Sequence, residues 1–196
     1  MNKKSLQSTP NTFLAPSLDD IYDITLNLAE NILKSDIKID LIIGISRGGL
    51  FPTRLLSDIL GVNQIEIIHA QSYQTFQKTQ KIKIKPISTE IKNKNILLVD
   101  DVSDTGETLH NVKKYLEKLG ASNVLIAVLY EKTWNKIKLP FPCKKTSAWI
   151  IFPWERMESL EKLIKTDHNL HKKHLFPKKI FINLLNIIKT KNSKLE

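Results

Sequence analysis

Unbroken apolar runs alternate with helical stripes of apolar residues along this chain. The runs suit strands that are covered on both faces, as in a parallel sheet, and predict strands at residues 40–46, 65–70, 96–99, 123–130 and 148–152. The stripes recur every three or four positions and predict helices within residues 21–32, 50–60 and 109–119. Strands that alternate with helices predict an α/β fold, with a doubly wound and mainly parallel sheet.

Positive charge is concentrated toward the carboxyl end of the chain. The formal net charge is +10, and more than half of this excess lies in the last 29 residues, from His168 onward. We expect a flexible tail at 1–16, a folded domain at 17–166 and a basic amphipathic extension at 167–196. The domain itself is only mildly basic, which suits a small polyanionic substrate and predicts no specific binding of nucleic acid.

Other features indicate the compartment. Cys143 is the only cysteine, so no internal disulfide is expected, and a reducing cytoplasm fits. No secretory leader and no membrane-spanning run are expected. Lys179 to Lys189 places apolar residues on one side between lysines, which favours either peripheral contact with the inner membrane surface or packing on the domain or a partner subunit.

Residues 96–109 read ILLVDDVSDTGETL and carry the most information. Asp100 and Asp101 follow where the strand is predicted to end, and their oxygens suit sugar hydroxyls and a hard cation such as Mg²⁺. A turn of small and hydroxylated residues then enters a helix, whose free N–H groups suit a phosphate. Together these groups describe a site for a phosphorylated ribose.

The segment at 44–48 reads GISRG and matches the nucleophile elbow of the α/β-hydrolases. An acid at 100 or 101 and His168 even follow in the right order. However, only about 39 residues precede this strand, too few for the earlier strands of that fold. His168 lies in the basic tail, and the hydrolase interpretation leaves residues 96–109 unexplained. Anion binding by the glycine loop and Arg47 is the better interpretation.

These two segments together resemble the type I phosphoribosyltransferases, and most closely the bacterial xanthine–guanine enzymes. The acidic pair, three variable residues and Thr-Gly-x-Thr resemble their motif for phosphoribosyl pyrophosphate (PRPP), and SRGGLFP resembles their pyrophosphate loop, in which the Ser46–Arg47 peptide is often cis. The resemblance implies that PRPP is bound by Ser46, Arg47, Gly48, Gly49, Asp100, Asp101, Ser103, Asp104, Thr105, Gly106, Glu107 and Thr108.

The resemblance also implies a base pocket under a small hood. Lys132 would meet O6 of a purine, and Trp149 and Ile150 would sandwich the base. Ile151 stands where an acidic residue is expected, so the choice among xanthine, guanine and hypoxanthine stays open. Taken alone, the lysine is more often solvated and the tryptophan more often part of a core.

A mobile loop is implied as well. Ser72 and Tyr73 resemble the pair that opens it, and Lys78 and Lys81 are expected to touch pyrophosphate. The polar stretch at 71–86 would be a hairpin arm or a lid.

The reaction implied is transfer of 5-phosphoribosyl from PRPP to a 6-oxopurine, as in purine salvage. Asp104 is the expected catalytic base at N7, with Mg²⁺ held by Asp100 and Asp101 directly or through ribose hydroxyls and water. The resemblance also implies a homo-oligomer, a dimer or tetramer. The alternative is a regulator on the same fold that binds PRPP or nucleotides without catalysis.

Overall fold

The structure is a computed structural model, and it describes residues 12–74, 80–160 and 186. The helices are α1 (Leu18–Leu33), α2 (Leu50–Leu60) and α3 (Glu107–Lys118). The strands are β1 (Phe13–Leu14), β2 (Leu41–Ser46), β3 (Ile65–Gln74), β4 (Gln80–Ile84), β5 (Asn95–Ser103), β6 (Asn123–Lys132), β7 (Lys144–Thr146) and β8 (Trp149–Ile150). Residues 156–160 are also helical.

The chain divides into two compact units, and the larger one spans residues 19–147. It contains a six-stranded sheet in the order β4-β3-β2-β5-β6-β7. Five of these strands run parallel, and β4 is antiparallel to β3. The predicted α/β class with a mainly parallel sheet is therefore confirmed.

Both faces of the sheet in this unit are covered. On one face, Ile43 and Ile45 of β2 share a buried cluster with Val112 and Leu116 of α3. On the other face, Gly44 lies against Thr53 of α2. Covered faces explain why the strands read as unbroken apolar runs rather than as alternating ones.

Two of the helices, α2 and α3, are followed by a glycine in the left-handed conformation. The predicted bounds of α2 are confirmed, and the helix ends at Gly61 in the left-handed conformation, with φ 67°. Because a side chain is strained at such a φ, glycine is the usual residue there. Gly120, with φ 94°, follows α3 in the same conformation. Leu119 was predicted to lie on the apolar stripe of α3, but it is 44% exposed and follows the last helical residue.

Three strands extend further than predicted, and one of them, β3, runs to Gln74 rather than to residue 70. β5 runs to Ser103, so Asp100 and Asp101 lie within the strand and not beyond its end. The strand continues because it keeps pairing with β6 as far as Ser103 and Glu131. β6 likewise extends to Lys132, which pairs with Thr146 of β7, so Lys132 is the last residue of this strand rather than the first of a loop.

The second unit comprises residues 1–18 and 148–196. Here Phe13–Leu14 pairs in parallel with Trp149–Ile150. β1 lies within the segment predicted as a flexible tail at 1–16, and the predicted bounds of the domain at 17–166 and of the extension at 167–196 stay predictions. The final strand is shorter than the predicted 148–152 and pairs with β1 in a separate sheet.

The edges of the large sheet are β4 and β7. Both carry lysine, as Lys83 in β4 and as Lys144 and Lys145 in β7. None of the helices among the described residues is both long enough and apolar enough to cross a membrane. The predicted amphipathic segment at 179–189 lies outside the described residues, except for residue 186.

Candidate active site

The β5–α3 turn, residues 103–108, surrounds a concavity. This space of about 260 Å³ is lined by residue 100 and residues 102–109. Gly106 precedes α3 with φ 83°, a value that a residue with a side chain adopts only with strain. The turn therefore presents the amino end of α3, where the first N–H groups have no partner within the helix, to the concavity.

A second segment braces this turn. Ser103 Oγ donates to Asn135 Oδ1 at 2.9 Å, and Lys136 N donates to the carbonyl of Thr105 at 3.2 Å. A Cβ on Gly106 would lie 2.6 Å from Ile137 Cγ1 and 2.7 Å from Asn135 Oδ1. The turn thus fits against the residues that follow β6 so closely that its glycine has no room for a side chain.

Asn135 was missed by the sequence analysis. A signal did exist, because it follows β6, the neighbour of β5 in the sheet. The carboxyl ends of adjacent parallel strands meet at the same edge, where ligands of such folds bind.

Asp104 and Lys132 come together through a residue that was also missed. Trp134 Nε1 donates to Asp104 Oδ1 at 2.7 Å. The Lys132 ammonium lies over the Trp134 ring, 5.6 Å from its centroid. Burial lowers the pKa of Lys132, and the Asp104 carboxylate opposes part of this shift.

The acidic pair, Asp100 and Asp101, lies between the β5–α3 turn and the loop that follows β2. Asp101 is only 5% exposed, and its N–H donates to Asp100 Oδ1 at 3.0 Å. A Cβ on Gly48 would lie 2.5 Å from Asp101 Oδ2, so this glycine lets the backbone approach the carboxylate. Asp100 faces the concavity of the β5–α3 turn, and Asp101 faces the loop after β2.

The β2–α2 loop, residues 46–49, contains the cis peptide bond between Ser46 and Arg47 that the resemblance implied. Arg47 is exposed. A Cβ on Gly49 would lie 2.5 Å from the carbonyl oxygen of Val99 and 2.7 Å from that of Ile45. Both neighbours are backbone atoms of the sheet, so this loop is held against the strands themselves.

Beside this loop lies a second concavity of about 390 Å³, lined by Ser46, Arg47, His69, Ala70, Lys83 and Lys85. Ser46 Oγ and His69 Nδ1 are 2.5 Å apart. Three cationic side chains and a histidine make this space suitable for an anion.

Sequence reasoning missed His69, Lys83 and Lys85. The alternation of lysine and isoleucine at 81–85 could have found the lysines, since residues two apart in a strand share a face.

The predicted mobile-loop residues are only partly described. Ser72 and Tyr73 lie in β3, and Lys81 lies in β4 opposite Tyr73, but their side chains are not described. Lys78 lies outside the described residues.

The candidate metal ligands are the adjacent carboxylates of Asp100 and Asp101. Among the residues that the structure describes, no group of three or more His, Cys, Asp or Glu side chains could hold a metal ion. Two adjacent carboxylates still fit Mg²⁺, which commonly takes one or two carboxylates from the protein and the rest of its oxygens from phosphates and water.

Burial raises the pKa of Cys143 to about 11, so this thiol is protonated at neutral pH.

The remaining base-pocket residues belong to the second unit. Trp149 is 41% exposed, whereas Ile150 is 7% exposed. Nearby, the rings of Phe152 and Trp154 stack at a centroid distance of 4.9 Å. The hood and the pairing of this unit with Lys132 in one base pocket stay predictions.

A larger concavity of about 560 Å³ lies elsewhere, lined by residues 32–33, 36–40 and 60–62. Residues 36–40 lead into the amino end of β2, the edge opposite the two loops. In this fold class, ligands bind beyond the carboxyl ends of the strands, so the smaller concavities are the better candidates.

Comparison with known proteins agrees with this geometry. The phosphoribosyl transferase domain family matches residues 17–157. A xanthine-guanine phosphoribosyltransferase of Nitratidesulfovibrio vulgaris (strain Hildenborough) is 30% identical over 116 residues, which are 58% of this chain and 68% of the relative.

Two solved structures are also similar. A purine phosphoribosyltransferase from Pyrococcus horikoshii Ot3 is 36% identical with a TM-score of 0.66, and the match covers 73% of this chain and 93% of that one. A xanthine-guanine-hypoxanthine phosphoribosyltransferase from Helicobacter pylori is 26% identical with a TM-score of 0.67, covering 76% and 99%.

The chain is thus an α/β protein with two candidate anion sites, the β2–α2 loop and the β5–α3 turn, on either side of an acidic pair. The chain belongs to the phosphoribosyltransferase family. The predictions of family and of fold class are confirmed.

Proposed function

We propose that this chain transfers the 5-phosphoribosyl group of PRPP to a 6-oxopurine (xanthine, guanine or hypoxanthine) in purine salvage. The products are the nucleoside 5′-monophosphate and pyrophosphate. Membership of the phosphoribosyltransferase family and the purine-specific relatives support this activity.

The observation that carries the proposal is the position of the acidic pair between the β5–α3 turn and the β2–α2 loop, the two segments suited to bind anions. Asp100 borders the concavity of the β5–α3 turn, and Asp101 contacts Gly48 of the β2–α2 loop. PRPP has the matching order of groups: a 5′-phosphate, a ribose diol and a pyrophosphate.

In this mechanism the protein first holds PRPP at both ends. Arg47 and the backbone of Gly48 and Gly49 bind pyrophosphate, and the amides of residues 104–108 cradle the 5′-phosphate with the hydroxyls of Thr105 and Thr108. The acidic pair holds the ribose hydroxyls. Fixing both ends aligns C1′ with the incoming base and the leaving group, which lowers the entropic part of the barrier.

The base then replaces pyrophosphate. The bond from C1′ to the pyrophosphate oxygen breaks through an oxocarbenium-like ribose, and the bond from C1′ to a purine nitrogen forms. Asp104 accepts the proton that leaves N7, acting as general base. Lys132 donates to O6, Trp149 and Ile150 sandwich the purine, and backbone near Ile151 contacts the 2-position.

Mg²⁺ is the proposed cofactor, with Asp100 and Asp101 as ligands. When bound, it neutralises charge on the pyrophosphate leaving group. Ser72, Tyr73, Lys78 and Lys81 belong to the loop that we propose closes over the site and excludes water.

One assay separates an enzyme from a regulator. The chain is incubated with PRPP, Mg²⁺ and each nucleobase in turn, and nucleotide is detected by chromatography. Formation of a 6-oxopurine nucleotide is expected, and it also identifies the preferred base. Binding of PRPP by calorimetry without nucleotide from any base would contradict the proposal and favour a regulator.

Asp104→Asn tests the general base. The amide cannot take the N7 proton, so turnover is expected to fall by about 10²–10³-fold, within the range for acid–base groups. Calorimetric binding of PRPP with Mg²⁺ should persist, because the phosphate-binding amides remain. The measurement is the rate of nucleotide formation.

Asp58→Asn is the matched control for that substitution. Asp58 is exposed on α2, where it pairs with Arg54 at 3.4 Å. Its loss should leave turnover unchanged. Full activity of the Asp104→Asn enzyme would remove Asp104 from the mechanism.

We also propose a cytoplasmic homo-oligomer, a dimer or tetramer. Contact of the segment 167–196 with the inner membrane surface is part of the same proposal. Sedimentation of the full chain, alone and with anionic vesicles, measures both properties.

A further inference from the structure

We propose that Trp134 is a positioning residue that sets the spacing between the Asp104 carboxylate and the Lys132 ammonium. The inference rests on the proposed function, because it concerns how the site reads the purine. Trp134 contacts both groups, through its indole N–H at 2.7 Å from Asp104 Oδ1 and through its ring at 5.6 Å from Lys132 Nζ.

The chemistry of a 6-oxopurine gives that spacing a purpose. O6 and N7 lie side by side on one edge of the ring system. A site that donates to O6 and takes a proton from N7 needs a cation and a carboxylate a fixed distance apart. One rigid indole in contact with both groups supplies this distance with little loss of side-chain entropy.

An indole is also well suited to hold a general base. Its N–H only donates, so it cannot take the proton that Asp104 must accept. The bond engages Oδ1, and the second carboxylate oxygen is the one that we assign to N7. Because the indole is uncharged, it holds the carboxylate in place by a hydrogen bond and not by an ion pair.

Trp134 hydrogen-bonds to the Asp104 side chain, whereas the two residues after it hydrogen-bond to other residues of the turn. Asn135 Oδ1 accepts from Ser103 Oγ, and Lys136 N donates to the Thr105 carbonyl. A change confined to the indole should therefore alter the chemical step and leave PRPP binding intact. This split distinguishes a positioning role from a general structural one.

The test is a double-mutant cycle between Trp134→Phe and Asp104→Asn. Phenylalanine keeps a ring beside Lys132 but removes the N–H. The single-turnover rate of nucleotide formation from enzyme-bound PRPP is measured, because it reports chemistry separately from product release. Calorimetry measures the dissociation constant of PRPP with Mg²⁺.

We expect Trp134→Phe to lower the single-turnover rate by about tenfold in the wild-type background and by less than about twofold in the Asp104→Asn background. The PRPP dissociation constant should stay within about twofold of the wild-type value. Equal losses in the two backgrounds, or no loss in either, would overturn the inference. A parallel weakening of PRPP binding would also overturn it.

Folding and the proposed function have separate readouts. Trp134 is 49% exposed, so its substitution should be tolerated, and thermal melting checks this. If Trp134→Phe does not fold, Trp134→Leu, which removes both contacts, carries the same cycle with the same criteria. Absence of nucleotide from the wild-type chain contradicts the proposed function, whereas equal losses in an active enzyme contradict only the role of Trp134.

Discussion

The β2–α2 loop and the β5–α3 turn both join a parallel strand to a helix through glycine, yet they are held in different ways. Gly49 of the first loop lies against backbone atoms of Val99 and Ile45. Gly106 of the second lies against the side chains of Asn135 and Ile137. At these two glycines, the first loop packs on backbone of the sheet, and the second packs on side chains from another loop.

Because the two loops are held differently, we expect substitutions in the first to affect stability most and substitutions around the second to affect function most. A loop that packs on strand backbone cannot change without disturbing the sheet, so its glycines should matter most for folding. A turn braced by side chains can shift while the sheet persists, so its supports should matter most for binding and rate. Three substitutions test this comparison.

The largest effect on stability is expected from Gly49→Ala. Its Cβ would meet two carbonyl oxygens at 2.5 and 2.7 Å, and backbone cannot rotate away as a side chain can. We expect the free energy of unfolding to fall by about 3 kcal/mol, as for other overpacked sites. Urea denaturation followed by circular dichroism measures it.

Gly61→Ala is the matched control. Nothing lies within 4 Å of a Cβ there, so only the strain of its left-handed φ of 67° should appear, at about 1 kcal/mol. Equal losses at the two glycines would mean that contact with the sheet backbone does not hold the loop.

An intermediate effect is expected from Asn135→Ala. The side chain accepts from Ser103 Oγ at 2.9 Å and donates to the Ile137 carbonyl at 2.8 Å and to Glu131 at 3.1 Å. Because these groups are partly buried, their loss should cost about 2 kcal/mol. The KM for PRPP should rise by about tenfold, since the turn loses its brace.

Asn123→Ala removes an exposed amide that donates to Asn95 at 2.8 Å in the same sheet. It should leave the KM for PRPP unchanged and shift the free energy of unfolding by no more than about 0.5 kcal/mol. An unchanged KM for PRPP in the Asn135 variant would show that the turn does not depend on this support. Initial rates over a range of PRPP concentrations provide the measurement.

The smallest effect is expected from His69→Ala. Its bond to Ser46 Oγ is one side-chain contact of the β2–α2 loop, but the histidine is exposed. Water can replace it, so the loss should stay below about 1 kcal/mol in the same urea assay. A loss larger than that of Asn135→Ala would reverse the comparison.

Local pattern was sufficient for much of the fold. The apolar run of β2 and the stop at Gly61 fixed one strand and one helix closely, because both depend on nearby residues. The end of β5 was missed because residues 100–103 are largely polar, and only their pairing with β6 keeps them in the strand. Two-residue strands such as β1 and β8 have no period to read.

The residues of the candidate site also fall into two groups, those that local motifs predict and those that depend on contacts between distant parts of the chain. Arg47, the acidic pair and the β5–α3 turn stand in contiguous motifs and could be predicted with the help of the resemblance. Trp134 and Asn135 act on residues about 30 positions away, and such contacts leave no local pattern. His69 and Lys83 required knowledge of which strand lies beside β2.

The lysines on the two outermost strands have a consequence for behaviour in concentrated solution. An outer strand offers unpaired N–H and C=O groups on which a strand of another molecule could add. Lys83 on one side and Lys144 and Lys145 on the other would bring like charges together in such an addition. Lys83, which also lines the cationic concavity beside the β2–α2 loop, therefore also helps to guard against aggregation.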